Sequence, residues 1–545
     1  MKRFFYLLTA TSIAFLSFFP RQSFSQEIFP GEHLINENRL KSYVTFLASP
    51  LLNGRENGEQ GLEIAQQFVI SQAMLAGLNP ANNNSYLQPY QIIETSFNES
   101  KSLLGIKSEG GAFEEIDQNL IQIMPSTPSD FAVNGEVVFA GYGLKQMMYD
   151  YNDYADVDIS GKVVLIMDGA PTSADGEFLF KGNDWSAQFT SINAKISYVA
   201  YSKAKAVIIV PDPKSGATTT EQLYPGIENQ FKASRKLKGD AYLRASMPNT
   251  PVILMANSEV ADKLLEGSGH TLKELQLAID NNLKPHSFVI PDKEISIVKS
   301  TKTEEKTLYN VAAIIEGSDP ILKDEYLVFS SHIDHVGSAN GIVYPGADDN
   351  ATGCAALLAM AKAFSEAPEP PKRSLLFLWF SGEEIGLFGS RAYVENPLVP
   401  LSKSVANINI DMIGRSKGVA DTSKNNPMTG PTGVFVISGN QSKELLEIAD
   451  KIDKESIIDF DYSQSGRYSE LQLFSRSDHY NFVRHDIPVL FFFTGLHTDY
   501  HTPHDTVDKI EFGKMEEIVK TIYRIGYTIA NKPDRLNVDN PFSGW

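Results

Sequence analysis

The sequence predicts an α/β protein: a mostly parallel central sheet flanked by helices, with a β-rich domain inserted into it. Three observations carry this reading. From about Tyr309 onward, unbroken apolar runs alternate with helical patterns, and runs without polar alternation indicate strands covered on both faces. Between about Asp130 and Pro291 the texture changes to short β-rich runs punctuated by Gly, Pro and Asp. Residues able to bind metal or move protons gather just after the apolar runs, beyond the strand ends where open α/β sheets bind ligands.

The elements follow in chain order. Lys2 and Arg3 precede an apolar run from Phe4 to Phe19, and Ser23-Phe24-Ser25 offers small residues at the positions a signal peptidase reads. Residues 1–25 are therefore expected to be a signal peptide, with export to the periplasm, cell surface or medium. No later run approaches the ~18 apolar residues of a membrane span, so stable membrane insertion is not expected. Loss of Lys2, Arg3 and Arg21 takes the basic count from 48 to 45 against 67 acidic residues, a net charge of −22 in place of −19. Such a surface repels phosphate backbones and argues against a nucleic-acid partner. Cys354 is the single cysteine, which excludes an intrachain disulfide.

Residues 26–129 contain two helical patterns, Leu40 to Ala48 and Gly61 to Ala76, separated by Gly/Asn-rich turn chemistry. Residues 130–291, with "GEVVFAGYGL", "GKVVLIMDG", "KAVIIV" and "PVILM", show no cluster of metal-binding residues and are expected to form an accessory domain. Residues 292–545 hold the runs "LYNVAAII", "YLVFSS", "SLLFLWFS", "VANINIDMIG", "GVFVISG" and "VLFFFTG", with helical patterns at Ala351 to Glu366 and Ser442 to Asp453.

Four of these runs end in reactive residues. "YLVFSS" is followed by His332 and Asp334, "SLLFLWFS" by Glu383 and Glu384, "ANINI" by Asp411, and "VLFFFTG" by His497, Tyr500, His501 and His504; Asp348 and Asp349 stand at the mouth of a helix. Each alone has an ordinary explanation as a core His, a solvated acidic pair or a helix cap. Together at successive strand ends they would bury much like charge, which is costly without a compensating cation. Two His and three carboxylates suit two borderline ions, each taking one His and one carboxylate and sharing the third. Zinc is the default, Mg²⁺ and Ca²⁺ would want more oxygens, and Mn²⁺ or Co²⁺ stay open. Adjacent Glu383 and Glu384 point in different directions, so one can bind metal while the other faces water.

The stretches "SHIDHVG", "PGADDNATG", "FSGEEIGLFGS", "INIDMIGR" and "DYHTPHDT" resemble, in order, the motif set of the M28 zinc peptidases over about Tyr309 to Ile529. "LASPLLNGRENGEQG" resembles the usual start of the same domain, and "VVFAGYG" with "DISGKVVLIMDG" resembles an inserted protease-associated domain. The resemblance implies the zinc-exopeptidase (phosphorylase/hydrolase-like) fold and two Zn²⁺ ions. His332 and Asp411 would hold one ion, Glu384 and His501 the other, and Asp349 would bridge; among His497, His501 and His504 it selects His501. Glu383 would be the general base, Tyr500 an oxyanion donor, and Asp334 would orient His332 through its ring N–H. Asp478 and His479 in "SRSDHYNF" are carried as pocket residues, while His335, His504 and Cys354 are read as neighbours or packing. The implied activity is release of N-terminal residues from peptides or proteins. Alternatives are a carboxypeptidase or dipeptidase of the same family, a one-zinc glutaminyl cyclase, or a binding protein on an inactive scaffold.

Overall fold

The computed structural model describes residues 29–97, 103–108, 111–123, 130–173, 190–224, 233–239, 251–339, 341–418, 428–466, 469 and 472–542; the expected signal peptide lies outside them. Two sheets organise the chain. The first contains β1 (Leu87–Phe97), β2 (Ala233–Leu237), β3 (Thr301–Ile315), β4 (Tyr326–His332), β5 (Ser374–Phe380), β6 (Ser404–Ile410), β7 (Gly433–Ile437), β8 (Asp459–Asp461) and β9 (Val489–Phe493). They lie in the order β2-β1-β3-β5-β4-β6-β9-β7-β8. The central four, β5, β4, β6 and β9, are parallel. Their flanks are antiparallel: β3 against β5 and β7 against β9.

The parallel expectation thus holds at the centre of the sheet and for the edge pair β7–β8, and fails between them and on the other flank. "LYNVAAII" and "GVFVISG" are as apolar as the parallel runs because they too are covered on both faces. An unbroken run reports that coverage rather than strand direction.

Period-2 alternation divides the core between the two faces. Leu327, Phe329, Leu375, Phe377 and Trp379 face the helices α1 (Glu37–Leu47), α2 (Gln60–Leu75), α3 (Gly353–Ser365), α5 (Lys443–Asp453) and α6 (Phe512–Asn531). Val328, Leu376, Leu378 and Phe380 face the opposite way, toward Tyr393 and Val394 of α4 (Phe388–Glu395) and Phe482 of the short helix His479–Val483. α3 is buried along nearly its whole length, which its run of Ala, Leu and Met permits.

The second sheet runs in the order 113–115, 103–108, 287–299, 131–140, 163–167, 206–210, 252–256, 121–123. It draws strands from both sides of the 130–291 span, while β2, from inside that span, pairs antiparallel with β1 in the first sheet. Helices Ser258–Leu265 and Leu272–Asn282 pack into its core through Val260, Leu264, Leu275 and Ile279. Among the described residues, no helix is long and apolar enough to cross a membrane.

Candidate metal centre and active site

The parallel register sets the ends of β4, β5 and β6 side by side, with His332 paired to Phe380. The residues that follow these strands therefore share one edge. His332 Nε2 lies 3.2 Å from Asp411 Oδ1 and 3.4 Å from Asp349 Oδ1. His501 Nε2 lies 3.0 Å from Asp349 Oδ2 and 3.0 Å from Glu384 Oε2. Asp349 thus turns one oxygen to each histidine. Nitrogen and oxygen atoms held tetrahedrally at ~2.0–2.1 Å from zinc sit ~3.3 Å apart, and the 3.0–3.4 Å spacings here are of that size. His332, Asp349 and Asp411 can hold one ion, and Glu384, His501 and Asp349 a second. Glu383 groups with His332 and Glu384 within 4.8 Å.

Buried partners fix these side chains. Asp334, wholly buried, takes the His332 Nδ1 contact on its backbone carbonyl at 3.2 Å, with its carboxylate 3.8 Å from the same nitrogen. That carboxylate accepts instead from Asn57 Nδ2 (2.6 Å) and from the backbone N–H groups of Glu383 (3.3 Å) and Glu384 (3.2 Å). Ser477 donates to Asp411 Oδ2 at 2.9 Å and accepts from Asn409 at 3.0 Å, leaving Oδ1 for the ion. Asp505 accepts the N–H groups of Asp348 and Asp349, and Asp348 faces His497 Nε2 at 3.3 Å. The Arg55 guanidinium donates to the carbonyls of Leu47, Ile333, Pro345, Gly346 and Asp349, clamping both ligand loops. Gly346, at φ +60°, allows the close approach: a Cβ there would meet the Asp349 carbonyl and the His335 ring.

The electrostatics separate the two neighbouring glutamates. Burial drives the Glu383 carboxyl well above its usual range. Burial acts on Glu384 in the same sense, but His501 and His335 outweigh it and hold that carboxyl well below. One is poised to carry a proton, the other to stay anionic. Burial opposes protonation of His332 and His501, yet the carboxylates around each raise them well above the ordinary imidazole value. The cluster attracts positive charge, and cations can supply it in place of protons.

His332, Asp349, Asp411 and Glu383 also line a cavity of about 40 Å³, completed by Tyr500, Arg476, Met412, Leu473, Phe491, Phe493 and Leu496. Burial keeps the Tyr500 hydroxyl protonated, and its ring stacks on His501 at 3.8 Å. Asp478 and His479 are fully buried behind this wall, with burial pushing Asp478 up to about 7 and His479 down to about 3, and neither lines the cavity. His504 is exposed. The Cys354 thiol donates to the His332 carbonyl at 3.0 Å and burial pushes it up to about 12, a packing role. The residues that sequence reasoning passed over are Arg55, Asn57, Ser477 and the apolar wall, while His335, read there as a polar neighbour, stands within the cluster. All of the polar ones lie inside motif stretches, Arg55 and Asn57 in a turn of "LASPLLNGRENGEQG" with no periodic signal.

Imidazoles and carboxylates converging at the carboxyl edge of a doubly covered sheet define a metal-binding α/β protein. Residues 310–525 match the model of Peptidase family M28, so this part of the chain is similar to that family. Leupeptin-inactivating enzyme 1 of Streptomyces exfoliatus is 41% identical over 109 residues, 20% of this chain and 23% of that one. A probable leucine aminopeptidase of Arthroderma otae is 26% identical over 248 residues, 44% of this chain and 62% of that one. Aminopeptidase YwaD of Bacillus subtilis is 28% identical over 195 residues, 34% of this chain and 38% of that one. The chain thus spans less than two thirds of the length of these relatives. Among solved structures, an aminopeptidase from Aneurinibacillus sp. strain AM-1 superposes with TM-score 0.54 at 19% identity, covering 93% of this chain and 98% of its own. BSAP, a zinc aminopeptidase from Bacillus subtilis, gives 0.55 at 18%, covering 92% and 98%. These two likenesses establish the fold.

Proposed function

We propose that the chain is a zinc metallopeptidase that holds two zinc ions and releases N-terminal residues from peptides. The observation that carries this reading is Asp349, whose two oxygens face separate histidine–carboxylate pairs. His332 and Asp411 hold one ion, Glu384 and His501 the other. When bound, the ions supply Lewis-acid polarisation of a carbonyl and a water of lowered pKa. The chain's own groups do the rest. Glu383, its amide pinned by Asp334, takes the proton of the attacking water and returns it to the leaving amine. The Tyr500 hydroxyl donates to the developing oxyanion. Met412, Leu473, Phe491, Phe493 and Leu496 give a substrate side chain an apolar wall. The zinc relatives' names and the family match support the metal and the reaction class.

A second reading rests on Arg476, a guanidinium in the cavity lining. It is suited to a substrate carboxylate, as carboxypeptidase or dipeptidase action would need. Release of amino acids from free, N-acetylated and C-amidated peptides, with metal content measured on the same sample, separates the two. Free and C-amidated peptides cut and acetylated ones spared, at about two zincs per chain, supports the aminopeptidase; amidated peptides spared while free ones are cut selects the alternative. Glu383→Gln should cost orders of magnitude in turnover and keep both metals. Loss of metal in that variant would remove Glu383 from the base role. We further propose export through residues 1–25 and an accessory, protease-associated-type role for the second sheet; the N-terminus of the mature protein tests the first.

A further inference from the structure

The site contains one histidine that neither the motif resemblance nor the function above uses. We propose that His335 is a further ligand of the ion held by Glu384, His501 and Asp349, an inference that rests on the two-ion reading. His335 Nδ1 lies 2.8 Å from Glu384 Oε1 and 3.6 Å from Asp349 Oδ2. Its ring stands edge-on to His501 at 5.5 Å and 74°. His335, Asp349, Glu384 and His501 each turn one ligand atom into a group no wider than 4.8 Å, and the spacings bracket the ~3.3 Å edge of a tetrahedral zinc site. The residue is 1% exposed, and its Nε2 has no hydrogen-bond partner among the described residues. A neutral imidazole with one nitrogen aimed into the cage presents the lone pair with which histidine binds metal, and the free Nε2 leaves room for a water to take the other ring position.

The consequence is an asymmetric pair. One ion has a single imidazole with Asp411 and Asp349. The other has two imidazoles with Glu384 and Asp349, a donor set that favours zinc, cobalt or copper over oxygen-seeking ions. The second ion is therefore the one retained under chelation.

Cobalt substitution of the full-length protein tests this without an assay of activity. Proton NMR of the di-cobalt protein should show three paramagnetically shifted, exchangeable imidazole N–H signals, from His332, His501 and His335. His335→Asn should remove one signal, change the visible Co²⁺ absorption and weaken the tightly held site ten- to a hundredfold. If the wild type shows two such signals and the variant keeps the Co²⁺ spectrum, His335 only positions Glu384 by hydrogen bonding and the proposal is wrong. A wild type that binds no cobalt at all would overturn the metal reading itself. His335→Gln keeps size and polarity and controls for misfolding: a folded variant lacking the third signal supports ligation, and one retaining three signals refutes it.

Discussion

Arg55 offers the sharpest test of how the ligand loops are held. It is 1% exposed and reaches the carbonyls of Ile333, Pro345 and Gly346 at 2.8–3.0 Å, that of Leu47 more closely, and that of Asp349 at 3.4 Å. These acceptors belong to the end of α1, to the His332–Asp334 turn and to the loop leading into α3. Lysine in its place keeps the charge but has three donors on one atom, and cannot span acceptors on opposite sides of a planar fork. At least two charge-assisted bonds are lost, at ~1.5–3 kcal/mol each, partly offset because burial already disfavours the guanidinium charge. Arg55→Lys should therefore destabilise the protein by ~3 kcal/mol, read as a fall in the urea midpoint in excess zinc. It should also loosen both ions, because Ile333 lies between His332 and Asp334, and Asp349 is itself in the cluster. A variant with wild-type midpoint and wild-type zinc retention in a chelator titration would show that the loops keep their shape without the clamp.

Two further outcomes are expected. Ser477→Ala strips Asp411 Oδ2 of its donor and leaves Asn409 without an acceptor, so zinc affinity should fall ~10–100-fold with little change in fold; an unchanged zinc-buffer titration would show that Asp411 needs no support. In the second sheet, burial pushes Asp153 up to about 7 although Tyr142 N, Leu144 N and Tyr151 OH all donate to it. An acid whose folded pKa is raised binds more protons folded than unfolded, so stability present below about pH 4 is lost as pH climbs to 7, at most ~4 kcal/mol. Asp153→Asn should flatten that slope in denaturant titrations across the window, and a parallel pH profile would put the slope elsewhere.

What was legible in the sequence is what local pattern encodes. An apolar run announces a doubly covered strand, and the residue just past it falls at the sheet's edge, so His332, Glu383, Glu384 and Asp411 could be placed together from position alone. Asp349 was legible because a helical pattern starts there. The pairing of β2 with β1 was not, since it joins residues about 140 apart by backbone bonds that leave no side-chain signature. The short strands 103–108, 113–115 and 121–123 carry too little pattern to be assigned to the second sheet from sequence. Arg55 and Asn57 were invisible for a related reason: their partners are carbonyls and a carboxylate far along the chain, chosen by the fold.

The supporting carboxylates follow a common physical rule. Where a parallel strand ends, its next amides lose their ladder partners and must find acceptors if they stay buried. Asp334 accepts those of Glu383 and Glu384 past β5, and Asp505 those of Asp348 and Asp349 before α3. Each anion is thus compensated by backbone dipoles and does not need to face an ion, while the amides it holds include those of the candidate ligands Glu384 and Asp349. A neutral Asn at position 334 could accept on one oxygen alone, and would leave one of the Glu383 and Glu384 N–H groups unpaired. Carboxylates placed one loop away therefore fix the ligands' backbone and add negative potential around the ions, with the result that the same residues that end the strands also favour cations at the place where the strands end.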